Sequence, residues 1–422
     1  MTGDVLQLAR RRRPAGRRRR WRLTRRGRVV FGALGVLLLA GVGSLVEGPA
    51  AELARAAGLG GDTGDLTLVA SGDVLPHGPV LRRAADDGAR AGQRYDFRPM
   101  LAELRPLVAG ADLALCHLEV PLSRDGRVVA SWPSFNAPPE LAAALRWAGY
   151  DACSTASNHA MDRGAGGVAA TLDVLDRAGL RHDGTARDAA EAAASTVVDV
   201  RGLRIGLLSY AYGLNGGPLP SGQPWLVNLI DPARIVEDAR AARRAGARFV
   251  VVLLHWGQEN QGAPTPAQRE LARRLLAAPE VDLILGHHVH VVQPIEQVGG
   301  KWVAYGMGNS LSNQTPACCA AGSQDGVLVQ VTIARDGDAP RVRAVRYVPT
   351  WVEHPSFRVR PVPAALADRS LTPQARQALE ASGDRTRGAS PSRAIVTWTR
   401  TPTWEPAAQQ AGVWLDRELP MP

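Results

Sequence analysis

Val281-Asp282-Leu283-Ile284-Leu285-Gly286-His287-His288-Val289-His290 is the stretch (281–290) that decides how this chain is read. Its short apolar start reads as a buried strand. The three histidines in the last four positions have no packing rationale, because a buried neutral imidazole still needs hydrogen-bond partners. With the backbone extended, His288 and His290 point to the same side, which suits two neighbouring cations. The same grammar recurs upstream. Ser71-Gly72-Asp73 follows Leu66–Ala70, and Cys116-His117-Leu118-Glu119 closes Asp112–Leu118. Ser157-Asn158-His159-Ala160-Met161-Asp162-Arg163-Gly164 follows Asp151–Ala156, and His255-Trp256-Gly257-Gln258-Glu259 follows Phe249–Leu254. A lone Asp after a strand is usually a turn or helix cap. Polar, metal-competent side chains at five strand ends instead place one site along the carboxyl edge of a sheet, where open α/β folds bind ligands.

Working outward, Leu66–Ser71, Asp112–Leu118, Asp151–Ala156, Ile205–Tyr210, Phe249–His255, Val281–Gly286 and Trp302–Gly306 read as strands. Glu140–Ala148, Gly167–Ala178, Pro232–Ala245 and Pro266–Ala277 have helical periodicity, and Gly149, Gly179 and Gly246 supply left-handed caps to three of them. Strand–helix alternation predicts an α/β layered fold. From Gly326 to Thr350 the period changes to two, which predicts antiparallel strands closing a second sheet. The main domain is expected over 65–350, followed by a partly ordered appendage, 351–422, rich in Pro, Arg and Ser.

The chain has 422 residues and a formal net charge of +10. Residues 1–28 hold twelve Arg and one acid, so the remainder, with 38 basic and 39 acidic side chains, is close to neutral. That distribution excludes a basic nucleic-acid-binding face, and no nucleic-acid partner is expected. After Arg28 runs the uncharged segment 29–46, which as a helix spans about 27 Å, enough to cross a bilayer's hydrocarbon core. The expectation is one transmembrane signal anchor: 1–28 cytoplasmic against anionic headgroups, 47–64 a linker, and the working domain outside the cell membrane. A cleaved signal peptide, giving a secreted protein, is the alternative. Of four cysteines, Cys116 and Cys153 sit in apolar runs and read as small buried hydrophobes, whereas Cys318-Cys319 in a Gly/Ala/Pro loop reads as the disulfide participant. His182 and His354 read as ordinary surface residues, and Trp256 as core or the floor of a groove.

Mixed nitrogen and oxygen ligands without thiolate suit one or two divalent metal ions such as Zn, Mn or Fe. Such ions clamp phosphoryl oxygens and supply a hydroxide nucleophile. The motifs SGDVL (71–75), LEVPLS (118–123), FNAP (135–138), SNHAMDRG (157–164), HWGQEN (255–260), GHHVH (286–290) and YGMGNSL (305–311) together resemble the calcineurin-like metallophosphoesterase superfamily. Within it, the chain is similar to the CapA family of poly-γ-glutamate capsule biosynthesis proteins. The resemblance implies a four-layer α/β/β/α sandwich preceded by one transmembrane helix. It implies that Asp73, Glu119 and His290 hold one metal, and that a bridging Glu119 with Asn158, His255 and His288 holds another. His159 becomes the acid beside the scissile bond, oriented by Asp162. Glu259 is expected to bind substrate or to orient His255; His287 is expected to shape the loop and, with Asn309, to line the substrate site. Two departures stand out. The superfamily's Asp-x-His motif has Leu75 in place of its histidine, with His77 too far along to replace it, so one metal position is weakened. His117 stands where the family has Asn, and reads as an additional ligand or, by preference, a substitute hydrogen-bonder.

Two functions follow as expectations. The first is a membrane-anchored, extracytoplasmic metal-dependent hydrolase or transferase acting on a polymer or phosphoester. The second is a non-enzymatic, metal-binding assembly or export factor that grips an anionic polymer such as poly-γ-glutamate. The partners expected are the cytoplasmic membrane, that polymer and other membrane proteins of capsule synthesis.

Overall fold

The computed structural model describes residues 64–335, 339–389 and the two-residue strand Ile395–Val396. The basic tail, the apolar segment 29–46 and most of the linker lie outside the described residues. Among those described, no helix is long and apolar enough to cross a membrane.

The strands are β1 (Leu66–Leu75), β2 (Leu113–Leu118), β3 (Ala152–Ser154), β4 (Arg181–Asp183), β5 (Thr196–Val200), β6 (Leu203–Ala211) and β7 (Phe249–His255). They continue with β8 (Leu283–His287), β9 (Ile295–Val298), β10 (Lys301–Ala304), β11 (Asn309–Ser312), β12 (Asp325–Ala334), β13 (Arg341–Val352) and β14 (Val359–Pro361). The first sheet runs β14-β13-β12-β1-β2-β3-β4, with β11 pairing parallel to the end of β1. The second runs β5-β6-β7-β8-β10-β9. In the first sheet β1 to β4 run parallel and β12 to β14 antiparallel; in the second, β6, β7, β8 and β10 run parallel between the antiparallel edges β5 and β9, so the fold is α/β with two mixed sheets.

Strand parity sets the layers. Leu66, Leu68, Leu113 and Leu115 of the first sheet pack against Ile205, Val251, Leu253 and Leu285 of the second, forming the central core. The alternate residues face outward. Val69, Ala114 and Cys116 meet three helices, α1 (Gly78–Arg90), α2 (Glu140–Ala148) and α3 (Gly164–Ala178). Val250, Val252 and Ile284 meet α4 (Pro232–Arg244) and α5 (Pro266–Ala277). Each fully buried Leu, Ile or Val contributes roughly 1.5–3 kcal/mol relative to exposure, and these three apolar clusters hold the two sheets and their flanking helices together. Local signals agree: Thr265 and Gln268 form a reciprocal capping box at the start of α5. Gly149 and Gly179 end their helices at φ +108° and +74°.

Three expectations need correction. The period-two strands β12 and β13 do not close the second sheet; β12 pairs antiparallel with β1 and extends the first. Residues 351–389 are built into the body: β14 pairs with β13, and the helices α6 (Val362–Ala367) and α7 (Pro373–Ala389) follow. Arg385 of α7 donates to both carboxylate oxygens of the buried Asp325, at 2.6 and 2.9 Å. The third concerns the cysteines. Cys116 and Cys153 are cross-strand partners in the β2–β3 register and form a disulfide, whereas Cys318 and Cys319 are free thiols. Adjacency of two parallel strands, which the sequence does not display, brings that pair together.

Candidate metal centre

The carboxyl ends of both sheets, not of one, converge on the site. Asp73 arrives on β1, Glu119 just after β2, and Asn158 and His159 in the β3–α3 loop; His255 ends β7, and His287 to His290 end β8. Two glycines permit the approach. A Cβ on Gly72 would strike the Gly308 carbonyl, and one on Gly286 would strike that of Tyr305. After β8 the backbone does not stay extended as expected: His288 and His290 take left-handed φ of +89° and +56°. Such values are strained for residues with a side chain and persist only where surroundings enforce them. Here they aim the two rings at different partners.

Asp73 is fully buried and is the hub of one side. Its Oδ1 lies 3.0 Å from His287 Nδ1 and its Oδ2 3.0 Å from His290 Nδ1, and Oδ2 also accepts the His288 backbone N–H at 3.1 Å. Glu119 lies between the two sides. Its Oε1 is 3.6 Å from His290 Nε2 and 3.9 Å from His255 Nε2. On the far side His255 Nε2 meets Asn158 Oδ1 at 2.9 Å, and His255 Nδ1 meets His117 Nε2 at 2.9 Å.

Two of the ligand sets inferred from resemblance are thus brought together. Asp73, Glu119 and His290 offer ligand atoms within 4.8 Å of one another, and so do Glu119, His255 and His288. A third grouping, Asp73 with His117 and His287, was not foreseen. Both Glu119 oxygens, His288 Nδ1 and His287 Nε2 are buried without any hydrogen-bond partner. Unpaired buried polar atoms are costly, and those of Glu119 and His288, which share a ligand grouping with His255, fit a divalent cation. Electrostatics agree. Burial alone would raise the Asp73 carboxyl, but hydrogen bonds from His287 and His290 hold it well below the usual range. Burial lowers the His290 imidazole, yet Glu119 and Asp73 more than offset this and raise it to about 10. Burial pushes Glu119 well above the usual range, and pushes His288 down to about 3 and His117 and His255 well below their ordinary value.

His159 stands at the rim, its Nδ1 2.8 Å from Asp162 Oδ2, which also accepts the Phe135 N–H at 2.7 Å. Asp162 thereby fixes the ring, whose Nε2 lies 3.3 Å from Asn215 Nδ2. Glu259 is exposed and does not orient His255, whose two ring nitrogens are engaged by His117 and Asn158. Asn309 and His287 differ from expectation. Asn309 is fully buried and its Oδ1 meets His290 Nδ1 at 3.1 Å, while its Nδ2 donates to the Ser323 carbonyl at 2.8 Å and to Gln314 Oε1 at 3.0 Å. It supports His290 and does not line a substrate surface. His287, buried, stacks on His117 with ring centroids 4.1 Å apart. His77 is turned to Asn313, whose N–H it accepts at 3.3 Å, and Leu75 is core. Trp256 is also core, donating to the Tyr305 carbonyl at 2.9 Å. His182 and His354 are half-buried; His182 meets Asp176 at 3.1 Å.

Sequence reasoning missed Tyr212, Asn215 and Ser154. Tyr212 is half-exposed with its ring 4.5 Å from His288, and Asn215 Nδ2 lies 3.3 Å from His159. Tyr212 and Asn215 sit in a loop with no motif; only their position shortly after the apolar strand β6 could have flagged them.

An α/β body of two facing sheets, with an acid–histidine cluster where their carboxyl ends meet, defines the class. The profile of the family described as bacterial capsule synthesis protein PGA_cap matches residues 67–314. The chain belongs to that family. It is 25% identical over 281 residues to the capsule biosynthesis protein CapA of Bacillus anthracis, covering 65% of each chain. It is 31% identical over 189 residues to the PGA biosynthesis protein CapA of Bacillus subtilis, covering 44% of this chain and 48% of that one. The chain thus spans 65% or less of these curated relatives. Among solved structures it is similar to a phosphatase from Mycoplasma pneumoniae, at 12% identity and TM-score 0.41 over 70% of this chain and 96% of that one. It is also similar to a 5′-nucleotidase precursor from Thermus thermophilus, at 18% identity and TM-score 0.41 over 77% and 59%.

Proposed function

We propose that this chain works in the biosynthesis of an anionic capsule polymer of the poly-γ-glutamate type, through a calcineurin-like, metal-dependent hydrolytic or transfer site. The observation that carries the reading is the set of buried, unpartnered ligand atoms on Glu119 and His288. Family membership and its relatives' names supply the polymer. The proposal places the chain at the cell membrane through segment 29–46, with the described body outside and other membrane capsule-synthesis proteins as partners.

Asp73, Glu119 and His290 would hold one divalent ion, and Glu119, Asn158, His255 and His288 a second. When bound, such an ion supplies charge for a phosphoryl or carbonyl oxygen and an activated water. The chain's own residues do the rest. Asp162 fixes the His159 ring, whose Nε2 delivers a proton to the leaving oxygen or nitrogen. Asn309 orients His290. Exposed Glu259 and half-exposed Tyr212 border the approach, Tyr212 against His288.

Leu75 in the core and His77 turned to Asn313 favour a second reading, in which the Asp73 side grips polymer carboxylates without turnover. The test is metal analysis of the purified full chain, followed by a panel of phosphomonoesters, phosphodiesters and γ-glutamyl amides. Bound metal with turnover supports the first reading. Bound metal with no turnover leaves the gripping role, and a wild type that takes up no metal refutes both.

A further inference from the structure

We infer that His117 is a positioning residue that sets the tautomer of His255 through a line of hydrogen bonds running Ser154–His117–His255–Asn158. This rests on the proposal that His255 ligates a metal, but it concerns His117 and Ser154, which neither ligand set of that proposal uses. His117 Nδ1 lies 2.8 Å from Ser154 Oγ, and His117 Nε2 lies 2.9 Å from His255 Nδ1. His255 Nε2 lies 2.9 Å from Asn158 Oδ1, and both rings are 1% exposed. The line crosses from the first sheet to the second.

Its direction follows from proton counting. Without metal, Asn158 Oδ1 accepts from His255 Nε2–H, so Nδ1 accepts from His117 Nε2–H and His117 Nδ1 accepts from the Ser154 hydroxyl. A cation on His255 Nε2 needs that lone pair, which puts the proton on Nδ1. His255 Nδ1–H then donates to His117 Nε2, His117 Nδ1–H donates to Ser154 Oγ, and the hydroxyl turns to the Cys116 carbonyl, 3.4 Å away. Each ring carries one proton in both arrangements, so the line reverses without net gain or loss. Metal-bound imidazoles ordinarily give their second N–H to a carboxylate, carbonyl or water. Here the acceptor is a second imidazole, with a hydroxyl and a carbonyl behind it.

The scaffold is built around this pair. His117 and Ser154 are cross-strand partners in the β2–β3 register, and the pair one step earlier is the Cys116–Cys153 disulfide. Successive residues face opposite sides of a strand. The covalent link therefore sits on the helix side and fixes the register of the two residues facing the centre. His287, bonded to Asp73, stacks on the His117 ring and limits its rotation.

The test uses the full-length chain, Co2+ as probe, and the variants His117→Asn, His117→Gln and Ser154→Ala. Asn keeps the contact to Ser154 but is too short for His255; the longer Gln amide reaches it. His117→Asn should weaken Co2+ binding about 10–100-fold, the range for such outer partners, and change the Co2+ absorption bands. His117→Gln should restore affinity to within about threefold of wild type, on the same scale. Ser154→Ala, which leaves the His117 ring in place, should give a smaller loss and serves if His117→Asn fails to fold. Wild-type affinity and spectrum in both His117→Asn and Ser154→Ala would overturn the inference. Should the wild type bind no Co2+, the metal reading fails separately. The imidazole 15N shifts of the metal-free protein then decide: a single His255 tautomer, lost in His117→Asn, upholds the positioning role, and unchanged shifts end it.

Discussion

Replacing Glu119 by Gln tests the centre where its two sides meet. The carboxyl is fully buried, neither oxygen has a hydrogen-bond partner, and burial with the nearby Asp73 raises its pKa well above the ordinary range. In the metal-free protein the folded state therefore holds a proton that the unfolded chain releases near the ordinary carboxylate pKa. The stability this proton contributes is present at low pH and is lost as pH rises through the folded value. A divalent ion reverses the slope, because it binds the ionised carboxylate and competes with the proton. At a hundredfold excess over Kd it stabilises the wild type by about 2.7 kcal/mol, roughly 5–8 °C at about 2–3 °C per kcal/mol for a body of this size. Glu119→Gln has the same shape but no charge to offer. Its metal-free unfolding temperature should lack Glu119's pH dependence, and its metal-induced rise should fall to about 2 °C or less on that scale. Differential scanning calorimetry at pH 5, 7 and 8.5, with chelator or with Mn2+ or Zn2+, reads both. A variant that keeps the full metal-induced rise would refute the view that this carboxylate joins the two ligand sets.

Three further outcomes are expected. His159→Asn should lower kcat on any substrate the wild type turns over by about 10²–10⁴-fold while metal content by elemental analysis stays unchanged; loss of metal would make His159 a ligand instead. Burial pushes the Asp183 carboxyl up to about 7 even though it accepts the Ser209 N–H at 2.7 Å. Because this folded pKa is raised, the wild type should lose stability relative to Asp183→Asn as pH climbs from 4 to 7, and parallel urea midpoints would contradict that. Arg385→Ala strips both hydrogen bonds from the buried Asp325 and should cost about 2–3 kcal/mol; a denaturant midpoint within error of wild type would show the pair to be passive.

Much of this was legible because strand ends carry their chemistry in order. Phe249–His255, Glu140–Ala148 and Pro266–Ala277 have the bounds that periodicity and capping residues announce. What was not legible depends on which strands become neighbours. Cys116 and Cys153 look like core filler until β2 and β3 are set side by side, and Ser154 has no visible role until it faces His117. Gly326 to Thr350 reads as β-structure, but period two does not say which sheet it joins. His288 and His290 were assigned one side on the assumption of extended backbone. Left-handed φ values send them to separate partners, a local strain no periodicity encodes. Asn309 carried the right motif and the wrong role, because a short polar side chain near a centre can face the ligand or the ligand's holder.

The clasp between Arg385 and Asp325 also has a bearing on biosynthesis. Asp325 opens β12, directly after the stretch in which Gln314 and the Ser323 carbonyl hold Asn309, and Asn309 in turn holds His290. The histidines near position 290 thus receive their final brace from a helix that leaves the ribosome almost a hundred residues later. A chain stopped before Pro373 lacks the guanidinium that pairs with Asp325. The centre's outer support in this sense depends on the polypeptide being made through its last described helix.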